Sequence, residues 1–132
     1  MKQKTLLLLS FLFTAFLASC SKTKDISLAA IQAQDIESIT LLSLLPGDII
    51  QIQDTKDLNQ LITTIQNLPL HQEITYSMTF DENLVQYTLQ SNNNIEITIS
   101  IQAPYVCIND VWYLSDYTAC DQLKEKANEL FH

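Results

Sequence analysis

The stretch LVQYTLQSNNNIEITISI alternates apolar and polar side chains twice, with a short polar interruption between the two runs. Val85, Tyr87 and Leu89 alternate with Gln86, Thr88 and Gln90, and Ile95, Ile97, Ile99 and Ile101 alternate with Glu96, Thr98 and Ser100. Successive side chains of a strand point to opposite faces, so this pattern specifies strands with one buried and one wet face, which antiparallel sheets accommodate. EITYSMTF repeats it with Ile74, Tyr76, Met78 and Phe80, and YVCI and VWYL bracket Asn109 and Asp110 as a tight hairpin would. Nearer the start, Ile39 and Leu41, then Ile50 and Ile52, flank LPGD. Proline at the second turn position presets φ and glycine at the third accepts φ > 0, so a type II turn and a first hairpin are expected there.

Two segments change period from two to 3.6. In DTKDLNQLITTIQNLP, Leu58, Leu61, Ile62, Ile65 and Leu68 share one helical face; Asp54 suits the N-cap, Asp57 the first turn, and Pro69 the exit. In DYTACDQLKEKANELFH, Cys120, Leu123, Ala127, Leu130 and Phe131 share a face, with Asp116 or Thr118 as the expected cap. Two one-sided helices and a one-sided sheet bury their apolar surfaces most simply when both helices cover the same sheet face. The expectation is an α+β fold, an antiparallel meander with two helices on one face, in the order β-β-α-β-β-β-β-α. ISLAAIQAQ fits either a helix or an irregular lead-in.

The N-terminus carries a different instruction. Lys2 and Lys4 precede the uncharged run Thr5 to Ala18, which is shorter than the about 20 apolar residues a spanning helix needs. A basic start, an apolar middle and small residues at the end make a secretion signal. Leu17-Ala18-Ser19-Cys20 resembles the lipobox of bacterial lipoproteins at all four positions. That resemblance implies cleavage before Cys20, a diacylglyceryl group on its sulfur and a lipid membrane as partner. Stable anchoring needs two acyl chains or an equivalent second signal, and a diacylglyceryl group supplies two chains on one sulfur. The expected organisation is a signal peptide over 1–19, a lipidated cysteine with tether and lead-in over 20–34, and one domain over 35–132. Localisation follows as the cell membrane or outer membrane, lipid-anchored and facing away from the cytoplasm. IQIQDTKDLNQLI, a strand of the form I-x-I-x-D entering a helix, also resembles small bacterial lipoproteins, a likeness that implies fold and no activity.

Cleavage would leave five lysines against 15 acidic residues, a net charge of −10 for the mature chain, and the sequence has no arginine. Without a basic patch or guanidinium forks, nucleic acid is not an expected partner. The single glycine, Gly47, rules out the glycine-rich phosphate loops that nucleotide sites need for close backbone approach.

Candidates for chemistry are few. Cys107 and Cys120 would form an even pair outside the cytoplasm, either bonded or held as two separate buried thiols. His71 and His132 have no companions at metal-ligand spacing, and DEN at 81–83 has the makings of a turn but lacks the central glycine of a calcium loop. No metal, cofactor or catalytic residue is therefore expected. The polar sheet face, which includes Thr88, and the aromatic hairpin, with Trp112 and Tyr113, form the candidate binding surface. These features point to a non-enzymatic, membrane-anchored binding module for an envelope protein or polymer. A structural or assembly lipoprotein is the alternative, and an enzyme of unidentified type a third.

Overall fold

The computed structural model describes residues 27–43, 47–75 and 84–131. Seven strands form one antiparallel sheet: β1 (Ile36–Ser43), β2 (Ile49–Ile52), β3 (Gln72–Ile74), β4 (Val85–Ser91), β5 (Glu96–Gln102), β6 (Tyr105–Ile108) and β7 (Val111–Leu114). Helix α1 (Thr55–Gln66) follows β2 and helix α2 (Tyr117–Phe131) follows β7. The α+β class and the two helices on one face are as the periodicities imply. Among the described residues five strands, rather than four, separate the helices. Of the run beginning at Glu73, Glu73 and Ile74 fall in β3, and residues 76–83, which include Tyr76, Met78 and Phe80, lie outside the described residues.

Spatial order is β2-β1-β4-β5-β6-β7-β3, so consecutive hairpins build β4 to β7 while β3 crosses to the far edge beside β7. Turn chemistry places the hairpins. Gly47 has φ 90°, a value that glycine accepts freely, while Leu45 and Pro46 of the expected type II turn lie outside the described residues; Asn109 (φ 47°) and Asp110 (φ 71°) make the two-residue turn with both φ values positive that matches strand twist. The Asn109 side-chain oxygen also accepts from Thr98 N–H at 2.9 Å. Between β4 and β5, Ser91 Oγ accepts from Asn93 and Ile95 N–H at 3.2 and 3.1 Å, and Asn94 takes φ 61°.

The core lies between the sheet and the helices. Ile39, Leu41, Tyr87, Leu89, Ile99, Ile101, Val106 and Ile108 line the sheet side; Leu58, Leu61, Ile62 and Ile65 of α1 and Cys120, Leu123 and Ala127 of α2 close it. Each fully buried leucine or isoleucine contributes about 1.5–3 kcal/mol relative to exposure. Asp54 caps α1, its Oδ2 accepting from Asp57 N–H at 3.2 Å. Tyr87, buried beneath α2, donates its hydroxyl to the carbonyl of Leu123 and so satisfies its one polar atom. Burial pushes that phenol well above its ordinary range.

From Ser27 onward, the lead-in forms two 3-10 turns, Leu28–Ala30 and Ala33–Asp35. Leu28 and Ile31 enter the core, and Gln66 of α1 donates its side-chain amide to the Ile31 carbonyl. The folded unit thus reaches back at least to Leu28, ahead of the boundary expected at residue 35.

Candidate functional site

The helix-free face of the sheet is built by alternate residues of its central strands. Pairing sets Gln51, Thr40, Thr88 and Thr98 side by side across β2, β1, β4 and β5. The three threonines are half-buried and Gln51 is exposed. Neighbouring strands lie about 4.8 Å apart, so the hydroxyls of this row repeat at that interval. A second row runs Ser38, Gln90 and Glu96. β1 reaches this phase through a bulge between Ile36 and Ser38 that turns Glu37 out to solvent.

A third row is less polar. Leu42, Gln86, Ser100, Cys107, Trp112 and Ile74 stand in register across six strands, with Ser100, Cys107 and Trp112 buried. Beside it, Gln86, Thr98, Ser100, Cys107, Asn109 and Asp110 line a groove of about 270 Å³. Burial raises the Cys107 thiol above its ordinary pKa, a hydrogen bond from the Asp110 backbone lowers it, and the Asp110 carboxylate raises it further. The net effect keeps the sulfur protonated at neutral pH, the opposite of what a thiolate nucleophile needs.

The structure separates the expected site residues. Thr88 and Trp112 share the helix-free face, but Trp112 is only 6% exposed and is not a surface anchor. Tyr113, next along β7, points to the other face and packs against the core. The aromatic hairpin is therefore split by the strand's alternation, and only the Thr88 side of the expected surface is accessible. Of the two arrangements open to Cys107 and Cys120, the structure has the separate thiols: both are free and buried. Val106 and Ile108 take the helix side of β6, which puts Cys107 on the other side, whereas Cys120 sits in the core under α2. Burial raises the Cys120 thiol, a hydrogen bond with the Ser115 side chain lowers it, and the Asp116 charge raises it. Cys20 lies outside the described residues.

One polar pair was not legible in the sequence. His71 Nε2 lies 2.7 Å from Asp116 Oδ1, and both side chains are about half exposed. The same junction is tied by Ser115 Oγ donating to the Pro69 carbonyl and His71 N–H donating to the Leu114 carbonyl at 2.8 Å. This clasp joins the exit of α1 to the start of α2, 45 residues apart. Its nearest sequence signal was a histidine one residue after Leu70 and an aspartate at a helix start, neither specific.

No protein-family model matches the chain, and no curated protein or solved structure does. Among the described residues, no three histidine, cysteine or carboxylate side chains come together as a metal-holding group, and no helix is long and apolar enough to cross a membrane.

Proposed function

We propose that this chain is a membrane-anchored, extracytoplasmic bacterial lipoprotein that binds an envelope protein or polymer on the helix-free face of its sheet. The observation that carries the binding reading is the in-register row Thr40, Thr88 and Thr98, uncharged and half-exposed in a chain with 15 acidic residues. Hydroxyls and amides at strand spacing offer donors and acceptors without the desolvation cost of ions, which suits a neutral polymer or a polar protein surface. The anchoring reading rests on Leu17-Ala18-Ser19-Cys20 at the end of a signal-like run.

Two experiments test the two halves separately. Metabolic labelling with a fatty acid should mark the wild type and spare Cys20→Ala; equal labelling removes the lipid anchor. Capture from envelope extract should be lost by Thr88→Lys, which sets a charge in the middle of the row without touching the helix-side core; unchanged capture removes the face as the binding surface.

A further inference from the structure

Among the described residues the sheet has two outer edges, and they are built differently. β3, at one edge, is three residues long and carries Glu73, and short charged strands resist pairing with foreign strands. β2, at the other edge, is IIQI: it has no proline, no lysine, no inward-facing charge and no bulge in its pairing with β1. Apart from its own shortness, four residues, the protections that natural edge strands commonly use are missing there.

Register identifies the open backbone groups. Ser43 N–H donates to the Asp48 carbonyl at 3.0 Å, and Leu41 opposes Ile50 and Ile39 opposes Ile52. Because hydrogen-bonded pairs alternate along an antiparallel ladder, Asp48, Ile50 and Ile52 turn their peptide groups toward β1, and Ile49 and Gln51 turn theirs outward. Ile49 is also one of the most exposed large apolar residues described, at 67%.

Side chains define what fits this edge. Ile50 and Ile52 lie on the helix side, Ile50 half-buried and Ile52 buried. Asp48, opposite Ser43 just before the strand, shares their phase; Asp54, two residues past Ile52, caps α1 through Oδ2; both are exposed. A second copy of β2 paired with Ile50 opposite Ile52 would set Asp48 opposite Asp54 twice. Like charges directly opposite across strands are destabilising. Lys56, exposed in the first turn of α1, does not lie on this ladder.

We propose that the outer edge of β2 is a docking site for an extended peptide that adds an eighth strand. This peptide carries basic residues six positions apart, opposite Asp54 and Asp48, and apolar residues two and four positions after the first, beside Ile52 and Ile50. Backbone hydrogen bonds to Ile49 and Gln51 supply affinity and the alternate side chains supply selectivity, as in other strand-addition modes. The inference concerns an edge, not the threonine face, and does not require the lipid anchor.

The test uses the full chain in detergent micelles and a fluorescein-labelled peptide, Lys-Thr-Val-Thr-Val-Thr-Lys, followed by fluorescence anisotropy. Binding should survive N-methylation of the third and fifth residues, whose amides point away from β2. It should be lost on N-methylation of the fourth and sixth, whose amides face it. Replacing both lysines by glutamate should weaken binding about tenfold or more, and added salt should weaken the lysine peptide. Ile49→Lys in the protein should weaken the lysine peptide as well, with the circular dichroism unchanged. No binding, or equal binding of the two methylated peptides, overturns the proposal. So does sedimentation as a dimer that Ile49→Lys dissociates, because a second copy would then occupy the edge.

Discussion

Cys107 and Cys120 lie on opposite sides of the β-sheet, the first beside Trp112 on the helix-free face and the second in the core beneath α2. A disulfide demands Cα atoms within about 7 Å and Cβ vectors that converge. The sheet itself stands between these two sulfurs. Mass spectrometry of the unreduced, denatured protein should therefore show two alkylated thiols. In the native state Cys107, 6% exposed, should react before Cys120 at 0%, and a linked Cys107–Cys120 peptide would contradict the arrangement.

Tyr87 and the two thiols make stability sensitive to alkali. Burial raises the pKa of each above its ordinary value. A group whose folded pKa exceeds its unfolded one binds its proton more tightly when folded, so its contribution is complete below the unfolded pKa and is lost as pH rises toward the folded value. Urea denaturation should show constant stability from these groups near pH 7 and a decline above about pH 9 for the thiols and about pH 10 for the phenol. Tyr87→Phe should cost about 1 kcal/mol at pH 7 through the lost bond to Leu123, and should decline less steeply at high pH. An equal slope for mutant and wild type would remove Tyr87 from this account.

Leu28 tests where the fold begins. It is 3% exposed and belongs to the main core, so Leu28→Ala should cost about 2–5 kcal/mol in chemical denaturation. A change within about 0.5 kcal/mol, the size expected of a surface substitution, would return the segment to the tether.

Asp54 has one identifiable duty within the fold, the cap on Asp57 N–H. Asp54→Ala should lower stability by about 1 kcal/mol, and Asp54→Asn, which keeps an acceptor oxygen, should recover most of it. His71→Ala should change stability at neutral pH by less than about 1 kcal/mol, because the pair with Asp116 is half exposed and solvent screens it. A larger loss would show that the clasp between α1 and α2 does more than a surface contact.

Local pattern alone was enough for the helices, the first hairpin, the Asn109-Asp110 turn and the identity of most core residues. Each depends on neighbours a few positions away: a period of 3.6 or two, a cap, a residue tolerant of positive φ. The reading of the four residues ending at Cys20 also rests on local pattern, but it is a proposal about processing and lies outside the described fold. Tertiary structure decided what depends on distant pairing. Alternation says that Thr88 is on one face of β4, but only the register with β1 and β5 makes it the middle of a threonine row. YVCI and VWYL are apolar on both phases, so sequence could not say which side Cys107, Trp112 and Tyr113 take. The side became determinate when Val106 and Ile108 met the core. Strand order, the exposed edge at β2 and the His71-Asp116 pair likewise join residues far apart in the chain, and such contacts are set by how whole elements bury their apolar faces together.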